Sequence, residues 1–247
     1  MNLFYSAKIN PTLPNLLLSE EESAHCIKVL RKREGDTVFF TDGIGNFYET
    51  KITSDHPKKC IVEIQNFIPD ENEKKIQLSI AIAPTKKIDR FEWFLEKATE
   101  IGCYEIIPIL CAHSERKILK MDRLLNVIIS SLKQCLKSRL PLLNEIKSFE
   151  EFLESMKSFE GKKFIGHIPE LSTISFPPKQ FNTDTISSMY KKGEDVLVAI
   201  GPEGGFSEKE IFQAIQYGFI PISLGNSRLR VETAGIVACA IINHMNI

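Results

Sequence analysis

Hydrophobic and polar residues alternate differently before and after residue 70, which divides the chain into two parts. In the first part the apolar segments are short, and Thr37–Phe40 and Phe47–Ile52 flank a glycine-rich turn, which predicts a β-hairpin. Ser19 precedes three glutamates, a pattern typical of a capped helix start, and we expect that helix to run to about Arg33. The first part therefore predicts a small, strand-rich, barrel-like domain over residues 1–70.

From Ile76 onward, longer apolar segments alternate with amphipathic ones. The segments that predict buried strands are IQLSIAIAP, EIIPIL, KKFIGHI, DVLVAIG and FIPISLG. Helical patterns separate them, and one of these, DRFEWFLEKATEIGC, is expected to end at Gly102. This alternation indicates an α/β domain with a mostly parallel sheet over residues 75–247. In such a domain the loops at the carboxyl ends of the strands share one edge of the sheet, where ligands bind.

Composition narrows the classes of protein to consider. The chain has 247 residues, of which 43% are hydrophobic and 26% charged, as in soluble globular proteins. A net charge of -1 provides no overall basic field, so a nucleic acid would have to be bound by local basic clusters. The N-terminus lacks a signal-peptide pattern and no apolar run is long enough to span a bilayer, so we expect a cytoplasmic protein without membrane contact. The scattered cysteines and histidines form no metal-binding motif, so no metal site is expected.

The segment VLVAIGPEGGFSEKEI places a glycine-rich loop between a predicted strand and a helix. Ser207 and Glu210 have the spacing of a capping box, so the helix is expected to begin directly after the loop. A phosphate at a helix N-terminus usually requires a nearby cation. Here Glu203 and the glutamates of the first helical turn would repel it. The loop is therefore a poor phosphate site, although a tight turn that simply requires glycine remains an alternative.

A second loop repeats this layout in FIPISLGNSRLRVETAG. A predicted strand leads through Leu224 and Gly225 into a polar loop with Arg228 and Arg230, and a helix follows from about Glu232. Glycines and backbone groups at the sheet edge suit an adenosine without phosphates, and carboxylates tolerate a positively charged centre. S-adenosylmethionine, with its sulfonium, meets both conditions.

Together, IGPEGGFSEKEI and LGNSRLRVETA closely resemble the signature of the RsmE family, the 16S ribosomal RNA (uracil-N3)-methyltransferases of the SPOUT superfamily. Similar family segments are HCIKVLRKREGD, KKIDRFEWFLEKATEIGCYEIIPI and KQCLKSRLP, so the resemblance covers the whole chain. It implies a PUA-like, OB-like β-barrel domain at residues 1–70 and a SPOUT-type α/β domain with a deep trefoil knot at residues 75–247. It also implies a homodimer that holds S-adenosylmethionine in the knot and RNA across the subunit interface.

The resemblance also assigns roles to individual residues. The cofactor-binding residues it implies are Gly201, Pro202, Glu203, Gly204, Gly205, Leu224, Gly225, Leu229, Arg230, Glu232 and Thr233. The RNA-binding residues we expect, each in a family-like motif, are His25, Lys28, Arg31, Lys86 and Arg139. The chain departs from the family pattern at Ser227, where Arg or Lys is usual, and at Lys133 and Cys135, where the family has Glu and Ser around Gln134.

The activity that the resemblance implies is methylation of the N3 nitrogen of a uridine in 16S ribosomal RNA, either free or in the assembled small subunit. Loss of the N3 proton leaves negative charge on the uracil ring. Arg230 is the candidate catalytic residue, which would either favour this charge or position the base or its phosphate. Alternatively, Arg230 pairs with Glu232 or Glu203. Two other functions remain open: methylation at another RNA site, and a non-catalytic role in RNA binding or assembly.

Overall fold

The computed structural model describes residues 2–71, 76–166, 184–225 and 227–247. The chain divides into two compact units. The first unit comprises Met1–Glu73 and Ile129–Leu140, and the second comprises Lys74–Ile128 and Pro141–Ile247. The predicted domains divided the chain only near residues 70–75, so the inclusion of Ile129–Leu140 in the first unit is a difference from that expectation.

The first unit is built on a sheet whose strands, within the described residues, have the order β1-β3-β4-β5-β2. The strands are β1 (Leu3–Tyr5), β2 (Asn15–Leu17), β3 (Thr37–Thr41), β4 (Asn46–Ser54) and β5 (Ile61–Pro69). The pairs β3–β4, β4–β5 and β5–β2 are antiparallel, whereas β1 runs parallel to β3. The antiparallel register of β3 and β4 confirms the predicted hairpin.

The hairpin turn depends on one buried carboxylate. Asp42 accepts hydrogen bonds from the backbone N–H of Ile44 (2.9 Å) and from the side-chain amide of Asn46 (2.7 Å). The Tyr48 hydroxyl donates a third bond to it at 3.0 Å. Burial of Tyr48, followed by this hydrogen bond, raises the pKa of its hydroxyl to about 12. The turn is therefore held by side-chain contacts that a propensity pattern alone does not reveal.

The first helix differs from the expectation that it would run to about Arg33. Helix α1 (Glu20–Ala24) begins as predicted, with the Ser19 hydroxyl accepting the backbone N–H of Glu22. It then continues only as a π-helical turn over His25–Val29. Arg31 follows in the left-handed region with φ of 56°, which a continuous helix cannot contain.

The second unit contains the predicted parallel sheet, with the order β12-β10-β11-β6-β7-β8 among the described residues. Its strands are β6 (Leu78–Ile82), β7 (Glu105–Leu110), β8 (Leu142–Leu143), β10 (Lys162–Gly166), β11 (Val196–Ile200) and β12 (Ile220–Ile222), and β9 (Lys147–Ser148) pairs with β7. Every pairing in this sheet is parallel within the described ranges. The central strands β6 and β11 are buried throughout, as their continuous apolar sequences predict.

Helices separate and follow these strands along the chain. Their bounds are α2 (Ile88–Ile101), α3 (Met121–Gln134), α4 (Phe149–Ser155), α5 (Ile186–Met189), α6 (Glu208–Gln216) and α7 (Val231–Met245). Helix α2 ends at Gly102 in the left-handed region, as its sequence predicts. Gly235 of α7 lies against the buried ring of Phe94 in α2, and a Cβ atom there would stand 2.5 Å from the ring. Glycine therefore permits the close packing of α2 on α7.

Two further expectations concern features beyond these elements. No helix among the described residues is long and apolar enough to cross a membrane. The trefoil knot stays a prediction, since the path of the chain through residues 167–183 lies outside the described residues.

Candidate functional site

Three loops of the second unit meet at the carboxyl edge of the parallel sheet. They follow β6, β7 and β11, which are neighbours in the order β11-β6-β7. Because the strands are parallel, their carboxyl ends lie side by side at this edge. The strand order also reverses at this point, since β7 lies on one side of β6 and the later strand β11 lies on the other. Such a position is where open α/β sheets bind ligands.

Glu210 joins two of these loops. Its carboxylate is buried, with a residue exposure of 5%, and one oxygen accepts the backbone N–H of Ala112 at 2.8 Å. The other oxygen accepts the backbone N–H of Ser207 at 2.7 Å and the Ser207 hydroxyl at 2.8 Å. The predicted capping box is thus confirmed, and the same carboxylate reaches the loop after β7 as well. Burial and the charge of Glu210 raise the pKa of the neighbouring Cys111 thiol.

His113 makes a second connection between the same loops. Its Nδ1 lies 3.1 Å from the carbonyl oxygen of Gly205. A Cβ atom on Gly204 would stand 3.0 Å from the Cβ of His113, so these two backbones pack closely. Gly205 itself has φ of 75°, a conformation that favours glycine. The glycines of GPEGG are therefore used for a turn and for close packing against the loop after β7.

The loop after β6 is bound to the glycine loop through Glu203. The Glu203 carboxylate accepts the backbone N–H of Lys86 at 3.0 Å. Arg116 supports the same loop by donating to the carbonyl oxygens of Thr85 (3.0 Å) and Lys86 (2.6 Å). The Lys86 ammonium pairs with Glu115 at 2.7 Å, and bonding to that carboxylate raises the pKa of Lys86. Lys86 is exposed as an RNA-binding residue would be, but its charge is already paired.

The second predicted cofactor loop follows β12 in the same unit. The side chain of Leu224 lies near Gly166 at the end of β10, 3.9 Å from the position of an added Cβ atom. Ile200, the last residue of β11, approaches the same position to 3.3 Å. Gly225 has φ of 127° and donates its N–H to the Ser223 hydroxyl at 3.2 Å. The ends of three neighbouring strands thus form one apolar floor beside the loops.

Helix α7 begins at the end of this second loop, with Arg230 as its N-cap residue. Glu232 in its first turn is buried, and the guanidinium Nε of Arg90 lies 3.8 Å from its carboxylate. Glu203 is bonded to the backbone of Lys86 instead. The alternative that Arg230 pairs with Glu232 or Glu203 is therefore wrong: Arg230 is exposed and has no carboxylate within 4.0 Å among the described residues.

The remaining predicted site residues fall into two groups. Pro202 is buried, Gly201 packs against Phe206, and Leu229 and Thr233 are half-buried around the start of α7. In the first unit His25, Lys28 and Arg31 are exposed. Arg139 instead donates its guanidinium to the carbonyl oxygen of Ile44 at 2.8 Å, so it also holds the hairpin turn in place.

Sequence reasoning missed His113 and Arg116, which hold the loops together. Neither belongs to a motif, and both follow β7, about ninety residues before the glycine loop. Only the pairing of the strands brings them to the site. Within the described ranges, no group of three or more His, Cys, Asp or Glu side chains could hold a metal ion.

Comparison with known proteins places this geometry in context. Residues 72–243 match the family described as RNA methyltransferase domain, and residues 18–65 match the RNA methyltransferase PUA domain. A ribosomal RNA small subunit methyltransferase E from Buchnera aphidicola subsp. Schizaphis graminum is 30% identical over 95% of this chain and 91% of its own length. These matches confirm the predicted α/β fold with an N-terminal PUA-like domain.

Two solved structures are similar over nearly their whole lengths. A probable rRNA-methyltransferase from Porphyromonas gingivalis is 36% identical, with a TM-score of 0.88 over 100% of this chain and 98% of that chain. A ribosomal RNA small subunit methyltransferase E from Neisseria gonorrhoeae, bound to S-adenosyl methionine, is 25% identical, with a TM-score of 0.85 over 100% of this chain and 98% of that chain.

Proposed function

The chain belongs to the RNA methyltransferase family that includes the ribosomal RNA small subunit methyltransferases E, and we propose that it methylates 16S ribosomal RNA with S-adenosylmethionine as the methyl donor. We propose further that the methylated atom is N3 of one uridine, as the motif resemblance implies. The observation that carries the proposal is the joining of the GPEGG loop to the loops after β6 and β7 at the carboxyl edge of the sheet.

The residues at this edge fit the proposed cofactor. Gly204 and Gly225 are exposed glycines, so their backbone groups can approach an adenosine closely. Glu203 lies in the loop and Glu208 in the first turn of α6, and both disfavour a phosphate while tolerating a positive sulfur. The floor formed by Ile200 and Leu224 is apolar. The cofactor-binding residues that we propose are Gly201, Pro202, Glu203, Gly204, Gly205, Leu224, Gly225, Leu229, Arg230, Glu232 and Thr233. When bound, the cofactor supplies a methyl group carried on a positively charged sulfur.

Arg230 is the proposed catalytic residue. Uracil N3 loses its proton in this reaction, so negative charge develops on the ring, and a nearby guanidinium stabilises that charge. Arg230 is exposed at the start of α7, and no carboxylate among the described residues occupies its guanidinium. Glu232, in contrast, is paired with Arg90, so we propose that it supports the start of α7.

We propose that the first unit binds the RNA. Its exposed cations Lys28 and Arg31 suit phosphate contacts, which supply affinity without sequence discrimination. We keep His25, Lys86 and Arg139 as further RNA-binding proposals, although the last two already make contacts within the protein. A homodimer with a knotted methyltransferase domain at residues 75–247, acting in the cytoplasm, completes the proposal.

The activity is tested with RNA from a deletion strain. Nucleosides of its small-subunit ribosomal RNA are quantified by mass spectrometry, with and without the gene restored. Purified protein is then supplied with methyl-labelled S-adenosylmethionine and either intact small subunits or deproteinised RNA. We expect 3-methyluridine to disappear in the deletion and to return at one position. Label in another RNA would support the alternative target, and cofactor or RNA binding without transfer would support the non-catalytic alternative.

A substitution tests the role of Arg230. Arg230→Ala is expected to lower the rate of methyl transfer by roughly 10²-fold or more, while the cofactor dissociation constant changes much less. Lys209→Ala is the control, since Lys209 is an exposed cation in the first turn of α6 and belongs to neither proposed cofactor loop. Equal losses of transfer and cofactor binding in Arg230→Ala would make it a binding residue instead.

A further inference from the structure

The first unit contains a cavity that none of the proposed roles explains. Its volume is about 240 Å³. The residues that line it come from the N-terminal strand, the π-helical turn and the end of α3, and they are Asn2, Leu3, Phe4, His25, Leu30, Lys133 and Gln134. Asn2, His25 and Gln134 are exposed, so the cavity opens to solvent. Its volume lies just below the range of pockets that take drug-sized ligands, so a smaller group fits it better.

One wall of this cavity is an imidazole that is held in place. The rings of His25 and Phe4 are in edge contact, with centroids 6.0 Å apart. Phe4 is itself buried and stacked on Phe40 at 5.2 Å. His25 therefore presents an exposed aromatic ring on a rigid support, which is the arrangement that stacks an unpaired base.

Three irregularities of the backbone lie beside the cavity. His25 begins the π-helical turn, and such turns often occur at functional sites. Arg31, next to Leu30, has φ of 56°, and Leu136, two residues after Gln134, has φ of 53°. Left-handed conformations of residues other than glycine cost free energy and cluster where ligands bind. Two of the three chain segments that line the cavity thus have a left-handed residue close to their lining residues.

The polar groups of the lining favour a base over a phosphate. The Lys133 ammonium is 2.8 Å from the carboxylate of Glu22 and both side chains are about three-quarters buried, so this cation is already paired. Besides the His25 imidazole, the other polar side chains are the neutral amides of Asn2 and Gln134, which can donate and accept hydrogen bonds at the edge of a base. Lys28 and Arg31 follow in the sequence and can contact the flanking phosphates.

We propose that this cavity takes one unpaired base of the RNA substrate, which stacks on the His25 imidazole with its edge toward the Gln134 amide. The proposal rests on the RNA methyltransferase function proposed above, and it adds a base-reading position in the first unit.

The test measures binding of the full-length protein to deproteinised small-subunit RNA at several salt concentrations. His25→Ala should weaken binding by about tenfold, the scale of one lost base stack, and His25→Phe should restore most of it. Gln134→Leu, which keeps the volume, should weaken binding about fivefold. The slope of affinity against salt should stay unchanged in these variants, because a base contact releases no counterions, whereas Lys28→Ala should lower the slope by about 1.

His56→Ala and Gln65→Leu are matched controls, since both residues are exposed in the same unit but do not line the cavity. The inference is overturned if His25→Ala and Gln134→Leu bind RNA like these controls, or if they lower the salt slope as a phosphate contact would. The wild type and each variant are also titrated with S-adenosylmethionine, and unchanged affinity is expected. If the wild-type protein forms no 3-methyluridine, the proposed function is rejected, whereas the RNA-binding result for the cavity still stands.

Discussion

The buried carboxylate of Glu210 should be required for both the stability of the second unit and the shape of the cofactor loop. It accepts the backbone N–H groups of Ala112 and Ser207, at 2.8 and 2.7 Å, from two different loops. In Glu210→Gln the side chain keeps its volume, but an amide nitrogen replaces one oxygen. Whichever way the amide turns, one of the two N–H groups then faces a donor.

The size of the effect follows from that unsatisfied group. A buried donor without a partner costs about 1–3 kcal/mol. For a unit of this size each kcal/mol lowers the melting temperature by roughly 2–4 °C. In either orientation the side chain no longer accepts from both loops, so the glycine loop is less well ordered. The affinity for S-adenosylmethionine should then fall as well, by about tenfold for each 1.4 kcal/mol that ordering the loop costs.

Thermal unfolding and isothermal titration with S-adenosylmethionine measure the two effects. Glu208→Gln is the control, because Glu208 is exposed in the same first turn of α6 and its substitution removes the same charge from the helix N-terminus. The reasoning is refuted if Glu210→Gln and Glu208→Gln have the same melting temperature and the same affinity. A shared small loss would then reflect only the helix dipole.

Two further predictions concern packing and pH. Gly235→Ala should lower the free energy of unfolding by about 1–3 kcal/mol, because the new methyl group meets the buried ring of Phe94. Helix propensity alone would instead raise the melting temperature, and that result would contradict the prediction. Folding raises the pKa of the Tyr48 hydroxyl from 10.0 to about 12, so the folded state holds the proton more tightly than the unfolded state does. The protonated hydroxyl therefore contributes to the free energy of unfolding below pH 10.0, and this contribution is lost as the pH rises toward 12. By about pH 11 the free energy of unfolding of the wild type should fall by about 1 kcal/mol more than that of Tyr48→Phe, which urea unfolding at each pH can measure. If the two proteins lose stability in parallel as the pH rises, Tyr48 is not the cause.

Local signals predicted the ends of several elements. The serines at positions 19 and 207 accept backbone N–H groups from their own helices, and Gly102 ends α2 in the left-handed region. These features depend on residues only three or four positions apart, so their geometry follows from the sequence spacing. Strand β11 could be placed for a related reason, since a continuous β-branched run is typical of a strand buried on both faces.

Local signals failed where tertiary contacts compete with them. The charged pattern after Ser19 favours a helix to about Arg33, but the chain leaves the helix after Val29. Cys26 and Ile27 are buried in the core of the first unit, and Arg31 is in a left-handed conformation. The basic residues that follow carry no sequence signal for this change of direction.

The sequence by itself determined the alternation of strands and helices, the two loop motifs and the kind of cofactor they suit. The tertiary structure decided which residues hold those loops. Ala112 and Glu210 are 98 positions apart, and His113 and Gly205 are 92 apart. No periodicity links them, and only the parallel order β11-β6-β7 brings them within hydrogen-bonding distance. Strand order is set by the packing of whole elements, so the contacts that depend on it could not be predicted from one chain's pattern.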